Sequence, residues 1–444
     1  MKPNDKRWQA SDAVLFCFLH LIPTDPIMTA LFSARTARLC LLSLLAFATL
    51  QTGCKKAPDD TVNPNNNTSG TVINADITAD RTLTDLGAGV DYVIKGTISV
   101  TNNAKLTINP GVTVAFDQDA SLTIESGSSL AAVGTASNGI LFTATSAVNG
   151  FWKGLHFESI SSSNVMDNCT VEYGGQAADS DGANIVLGDH YNSTKGSLRL
   201  TNSVLRKGGR AGVFASSNST LPVFTNNKIN GNTGEAMIVS INSSDAPDPT
   251  NDYTGNGRNY VLIKGTSSSS DNSMVHNIEW KALNIPYSIQ DVVVIQMTLT
   301  VDAGVTVIAQ NSGTMYVNGE DSGTAGKVYC NGTAANRVTF TGDTQPASWG
   351  GFDIHCGTLN ATYTSFLYGD AISWKSHSVH SIIMANSYYS QIARISLQYC
   401  EIGNAYAYGL AYSTDTGGAQ SACTYSGIGN NFHNNASGNI YTNF

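Results

Sequence analysis

The chain has 444 residues, only 13% of them charged, with 42 Gly against 11 Pro. Soluble chains average about 25% charged residues, so this profile disfavours a helical bundle, a coiled coil or a highly charged disordered chain. Lys+Arg 24 against Asp+Glu 33 gives a formal net charge of -9, and without a broad positive field nothing attracts a phosphate backbone, so no nucleic-acid partner is expected.

In chain order, Arg35 and Arg38 precede a twelve-residue apolar stretch at 39–50, LCLLSLLAFATL. It is too short to span a bilayer comfortably and has the length of a signal-peptide core. Residues 1–53 are therefore read as a signal region and kept out of the fold. Met28 opens a well-proportioned signal peptide by itself, whereas residues 1–27 add Asp5, Asp12 and Asp25 and a second apolar patch, and are read as an over-extended start. Leu50-Gln51-Thr52-Gly53-Cys54 resembles a bacterial lipobox, although Gln51 stands where an aliphatic residue is usual. The resemblance implies a lipid anchor on Cys54, the membrane as a partner, and an exported lipoprotein of the outer membrane or cell surface. The plainer alternative is an ordinary Cys54 beyond a secretory cleavage site. Removing residues 1–53, with five basic and three acidic residues, leaves 19 basic and 30 acidic, a formal -11.

Residues 54–71 are rich in Asn and Asp, nearly free of apolar side chains, and read as a flexible tether. From residue 72 onward the chain changes to short β-branched runs broken by Gly, Asn and Ser, and no stretch sustains a 3.6-residue period. The body is all-β. It is also duplicated: LTINPGVTV from Leu106 matches LTVDAGVTV from Leu299, GTASNGILFT from Gly134 matches GTAANRVTFT from Gly332, Trp152 matches Trp349, and Val171-Glu172-Tyr173-Gly174 matches Phe366-Leu367-Tyr368-Gly369. The offsets drift only from 193 to 198, which sets two related halves at 72–283 and 284–444.

Inside each half, apolar runs alternate with Asn-Gly-Ser corners. MDNCTVEYGG from Met166, LTNSVLRKGG from Leu200 and FTNNKINGN from Phe224 overlay so that Asn168, Asn202 and Asn226 coincide, as do Val171, Leu205 and Ile229. In a β-solenoid such positions stack at about 4.8 Å, apolar residues forming inward ladders and corner amides forming hydrogen-bonded ladders. These segments, with Pro110–Val114 and the FWKGLHF run from Phe151, resemble the right-handed parallel β-helix, pectate-lyase-like superfamily in the form found in surface lipoproteins of Bacteroidetes. The expected fold is a right-handed parallel β-helix of two internally related halves. Trp152 and Trp349 recur at one repeat position and read as packing residues.

Past Cys54 the chain keeps Cys169, Cys330, Cys356, Cys400 and Cys423. This odd number is not a disulfide framework. Cys330/Cys356 and Cys400/Cys423 lie 26 and 23 residues apart; Cys400 and Cys423, one turn apart, have the spacing to stack and bond, and reduced core cysteines are the preferred reading of that pair.

Polysaccharide lyases and hydrolases of this resemblance use carboxylates, often with calcium, beside a Lys or Arg. Glu172, Arg206 and Asn230 occupy equivalent places in the overlaid turns, with Lys207 and Arg210 close by, which suits a base and a carboxylate-binding cation. The simpler reading is a surface pair between Glu172 and Arg206. Asp179 and Asp181, with Asp189 and His190, form a second cluster able to offer oxygens to calcium, the one cofactor the sequence admits; an ordinary solvated loop is the plainer account. Asp245, Asp248 and Asp252 read as an acidic excursion. Ten of the 18 Tyr fall in the last 82 residues, and Tyr406, Tyr408 and Tyr412 are candidates for stacking on sugar rings, against the alternative of packed tyrosine ladders. The expected function is a lipid-anchored binding or adhesive module for glycan. A polysaccharide lyase or glycoside hydrolase, and a structural surface or matrix component, are the alternatives.

Overall fold

The computed structural model describes residues 70–87, 89–189, 194–264, 274–310, 313–319, 325–342, 349–372, 379–387, 391–414 and 422–442. Residues 1–53, Cys54 and His190 lie outside them. The described residues form short strands and one 3-10 turn, Ile241–Ser243, with no α-helix among them. The strands pair in parallel, Ala371–Ile372 against His380–Asn386 being the antiparallel exception. The chain winds as a right-handed parallel β-helix.

Local sequence explains the strands. Thr97–Val100 and Lys105–Ile108 alternate apolar-in and polar-out, and their burial alternates in step. One sheet of thirteen strands runs through both halves, from Thr97–Val100 to Asn431–His433. Along its inner side the register builds one continuous apolar ladder that begins Ile98, Leu122, Leu155 and Ile185, passes Val213, Met237, Val261 and Tyr287, and ends Phe366, Ile402 and Phe432. We call this sheet the spine.

The other two faces are separate in each half. In the first half a six-stranded sheet (Arg81–Leu83 to Thr220–Thr225) and a seven-stranded sheet (Thr71–Ile73 to Lys228–Asn230) flank the spine. The second set of flanking sheets starts at Ile278–Trp280, ahead of the division expected at 284: Ile278–Trp280 to Thr424–Ile428 forms one, and Val292–Ile295 to Gly438–Tyr441 the other. A first-half coil visits Lys105–Ile108, Thr113–Phe116 and then Ser121–Ile124 in the spine. The matching second-half coil visits Thr298–Asp302, then Thr306–Ala309 in the spine, then Thr314–Asn318. The spine is thus the third stop of each first-half coil and the second stop of each second-half coil. The slip falls where Arg258–Ile263 stacks on Glu235–Val239 and Tyr287–Ile289 stacks on Arg258–Ile263.

The duplication is visible in atomic detail. Thr135 and Asn138 close a turn through Thr135 N–H to Asn138 O and Asn138 N–H to Thr135 Oγ1, and Thr333 and Asn336 repeat both bonds. Trp152 donates from Nε1 to Glu172 O and Trp349 to Leu367 O, each at 2.9 Å, and both indoles are buried and stacked on a phenylalanine, Phe116 and Phe340 respectively. Left-handed corners recur as pairs five residues apart: Asn168 and Tyr173, Asn202 and Lys207, Asn226 and Gly231, then Tyr363 and Tyr368, Tyr399 and Asn404, Gly429 and Asn434. Each pair brackets a short strand, so the chain turns twice within six residues.

The corner-amide ladder lies one residue beyond the position expected for it. Asn168 and Asn202 take the left-handed conformation that Asn tolerates, and their side chains turn out to Asp167. The buried ladder is built by the next residues, where the Cys169 amide bonds Ser203 Oγ, the Ser203 amide bonds Asn227 Oδ1, and the Asn227 amide bonds Asn251 Oδ1 at 2.7 Å. A second ladder climbs through Asn184, Asn232 and Asn256. Cys169 and Cys400 occupy the same ladder place, with Sγ set 3.4 Å from Ala132 O and Ala361 O. All five described cysteines are buried and form no disulfide, and burial pushes the thiols of Cys169, Cys330 and Cys400 up.

Two stability measurements follow. Asn232→Ala strips partners from the Gly208 amide and from Asn184 Nδ2 and should cost about 2–4 kcal/mol in denaturant unfolding, whereas Asn202→Gly, which keeps the left-handed corner, should cost under about 1 kcal/mol. Asp353 projects from Phe352–His355 on the side away from the core, and burial pushes its carboxyl up to about 7. In the unfolded chain it titrates near 3.8, so folding takes up a proton between these values and stability falls as pH rises through that window. Asp353→Asn should match the parent near pH 4 and exceed it by about 1–3 kcal/mol near pH 8.

Candidate functional site

Glu172, Arg206 and Asn230 stand in register on neighbouring strands. Glu172 is 6% exposed. Its Oε1 accepts from Thr143 Oγ1 at 2.8 Å, its Oε2 accepts from Arg206 Nε at 2.8 Å, and Lys207 Nζ lies 4.0 Å away. Lys207 also donates to Tyr173 OH and lies over that ring at 5.3 Å. The carboxylate is therefore enclosed by donors from its own scaffold. Arg210, named with them as a catalytic candidate, does not join this group. Its Nη1 donates to Asp179 O and its Nε faces Glu235 Oε2 at 4.0 Å, beside the spine. The geometry separates Glu172 and Arg206 from Arg210, so the three do not form one acid-base constellation.

Arg210 instead edges a cleft of about 430 Å³, with Glu235, Arg258, Tyr260, Ser288, Gln290 and Gln310 around it and Leu262 and Ile308 as its apolar floor. The spine makes this cleft. Its outward row reads Val186, Phe214, Ile238, Leu262, Ser288 and Ile308 in register, and the cleft opens where that row passes from buried apolar residues to Ser288. Glu235 is 1% exposed and accepts from Arg258 Nη1 at 2.7 Å, while its Oε2 has no hydrogen-bond partner. Gln310 Nε2 donates to Tyr260 OH and Ser288 Oγ at 3.2 and 3.1 Å. Burial, with the charge of Glu235, pushes the Tyr260 hydroxyl up, and the Glu235 carboxylate holds Arg258 above the usual guanidinium range. The cleft wall thus brings together one carboxyl group, two guanidiniums, a phenol and two amides. Sequence reasoning found Arg210 alone of these. The signal for the rest was the coil period of 24 residues seen in Leu205/Ile229 and in Val213/Met237/Val261, which carries Arg210 to Gly234-Glu235 and then to Arg258.

The two calcium candidates are engaged by protein. Asp179 Oδ1 accepts the Asp181 amide, and Asp181 Oδ1 accepts from Ser180 and faces Lys264 Nζ at 3.4 Å. Among the described residues no three His, Cys, Asp or Glu side chains are grouped to hold a metal. Asp248 and Asp252 close local turns onto Thr250 and Thr254. The tyrosine candidates disperse: Tyr406 is 59% exposed beside His380, Tyr408 stacks on Tyr441 outside the core, and Tyr412 packs against the core near Tyr425. A different exposed stack, Tyr363 on Tyr399 with centroids 5.0 Å apart, fills the corner where the first half has Asn168 and Asn202.

Fold and site together define a parallel β-helix carrying a donor-rich cleft on its longest sheet. Residues 76–193 match the family model of a pectate-lyase like beta helix domain. Neither the curated proteins nor the solved structures contain a match to this chain.

The Glu172 pair has its own test. Arg206→Ala leaves a buried carboxylate with Thr143 as its close donor and should cost about 1–3 kcal/mol in denaturant unfolding, discounted because the Arg206 side chain is 33% exposed. A variant as stable as the parent would show that Lys207 takes over.

Proposed function

We propose that the chain is a lipid-anchored cell-envelope β-helix that binds glycan through the Arg210–Glu235–Arg258–Tyr260 cleft. The observation that carries this reading is the composition of the cleft wall. Guanidinium, amide, phenol and carboxylate groups converge over a small apolar floor of Leu262 and Ile308. Sugar hydroxyls need donors and acceptors together, their C–H faces need a flat apolar surface, and preset groups reduce the entropy lost on binding. The lipobox-like Leu50–Cys54 segment and the polar tether supply the anchoring half of the proposal. A rigid solenoid on a tether presents its cleft away from a membrane.

A second reading has one specific observation behind it. Glu235 lines the cleft, and its buried Oε2 has no hydrogen bond and lies 4.0 Å from Arg210 Nε; a carboxylate with an unmet lone pair beside a cation is the pairing needed to remove a proton next to a sugar carboxylate. One experiment separates the two. The chain is incubated with neutral and uronate polysaccharides while retention, new reducing ends and unsaturated products are followed. Binding predicts retention weakened about tenfold or more by Arg258→Ala and Tyr260→Ala and left unchanged by Arg206→Ala, with no new ends. Product formation abolished by Glu235→Gln would establish the enzyme instead, and neither signal would leave a structural role.

A further inference from the structure

The floor of the spine cleft has a shape that selects among sugars. Leu262, Ser288 and Ile308 stand in one outward row on three successive strands. The two apolar side chains therefore lie about 10 Å apart, two strand spacings, with the smaller Ser288 between them. Ser288 is 1% exposed, sunk between its branched neighbours. The floor is thus notched, with a recess one strand wide inside a cleft of about 430 Å³ that is open to solvent along Arg258, whose side chain is 59% exposed. A pyranose ring spans more than this notch, whereas a methyl group fits it.

The polar groups around the notch are partly engaged, and what they leave over is specific. Gln310 Nε2 gives its two hydrogens to Tyr260 OH and Ser288 Oγ, which fixes the amide. Its Oε1 accepts no hydrogen bond among the described residues and remains an acceptor on the cleft wall. Tyr260 receives a hydrogen from Gln310 and keeps its own O–H to donate. Arg258 directs Nη1 to Glu235 Oε1, and its other N–H groups add to the donors of the wall. One acceptor, fixed donors and a methyl-sized apolar recess thus lie side by side.

The acetamido group carries the complementary set, an N–H, a C=O and a methyl in one plane. A bare hydroxyl leaves the notch without an apolar partner. A carboxylate brings neither an N–H for Gln310 nor a methyl, and a free amine sets a cation beside two guanidiniums. A peptide amide has the same three groups but lacks the ring hydroxyls that the remaining donors of the wall can meet. We infer that the sugar taken by this cleft is an N-acetylated amino sugar, an inference that rests on the glycan reading of the cleft given above. The acetyl methyl enters the notch over Ser288 between Leu262 and Ile308, the acetyl oxygen accepts from Tyr260 OH, and the acetamido N–H donates to Gln310 Oε1.

The test uses the full chain, with N-acetylglucosamine, N-acetylgalactosamine and N,N′-diacetylchitobiose set against glucose, galactose and cellobiose. Glucosamine, glucuronate and N-acetylalanine methylamide serve as the cationic, anionic and peptide-like probes. NMR titration measures affinity, and saturation transfer from protein methyls reports which ligand protons lie against the floor. At least one acetamido sugar should bind about tenfold or more tightly than its hydroxyl counterpart, with the acetyl methyl receiving the strongest transfer. Ser288→Val, which fills the notch, and Tyr260→Phe should each bring the two sugars to within about twofold of one another, and Arg206→Ala should leave the preference intact. If Ser288→Val does not fold, Tyr260→Phe and the transfer pattern in the parent chain decide. The inference is overturned, with the glycan reading left standing, if glucose, galactose, cellobiose or glucuronate binds as tightly as the acetamido sugars and is weakened by Arg258→Ala. It is also overturned if the peptide-like amide or glucosamine binds as tightly, or if the preference survives both substitutions. Binding of no sugar at all would overturn the inference and the glycan reading together.

Discussion

The apolar ladder of the spine is what the rest of the structure depends on. Side chains from Ile98 to Phe432 lie one above another, so each coil buries its inward residues against the coil before it and the coil after it. No coil could bury them alone, and the chain gains its core only by repetition. The corners then follow as a requirement: to return to the ladder every coil, the backbone must turn sharply without leaving amides unpaired. The paired left-handed residues provide the turn, and the buried Ser, Asn and Cys side chains one residue later provide the bonds.

This division of labour explains what could be read from residues alone. Alternation in runs such as Lys105–Ile108, together with the Leu106/Leu299 and Gly134/Gly332 matches, was enough for an all-β, duplicated, parallel solenoid, because stacking forces the same residue types into the same places. The corner amides were misplaced by one residue for a physical reason. Asn serves two purposes at adjacent positions, tolerance of a left-handed backbone at Asn202 and a buried hydrogen bond at Asn227, and overlaid sequences display both as the same letter.

The candidate sites were harder to read because they depend on which face a strand occupies. Glu172 and Arg206 are neighbours as their overlay suggests, since both lie on short strands held by the same corner pairs. Arg210 lies only four residues from Arg206, yet it crosses a left-handed corner at Lys207 and joins Glu235 on another sheet. Tyr406, Tyr408 and Tyr412 fail as a common platform for a similar reason, with one in a turn, one on the outer side of its sheet and one against the core. Glu235 and Arg258 carry no local motif, and what marks them is an unmet or shared bond that appears only when coils are stacked.

The slip of one face between the halves has a consequence for anything that lies along the spine. Had the copies stacked in phase, equivalent residues would recur down that sheet, and a polymer could dock in either of two offset positions with similar contacts. As built, His156 projects from the spine while its counterpart Asp353 projects from a flanking sheet, and the outward row of the spine joins strands of unlike ancestry. A chain-like guest running along it meets a non-repeating surface that differs from one end to the other. The duplicated protein therefore has a polarity: the two ends of its spine differ in surface chemistry, and each half is free to acquire contacts that the other never copies.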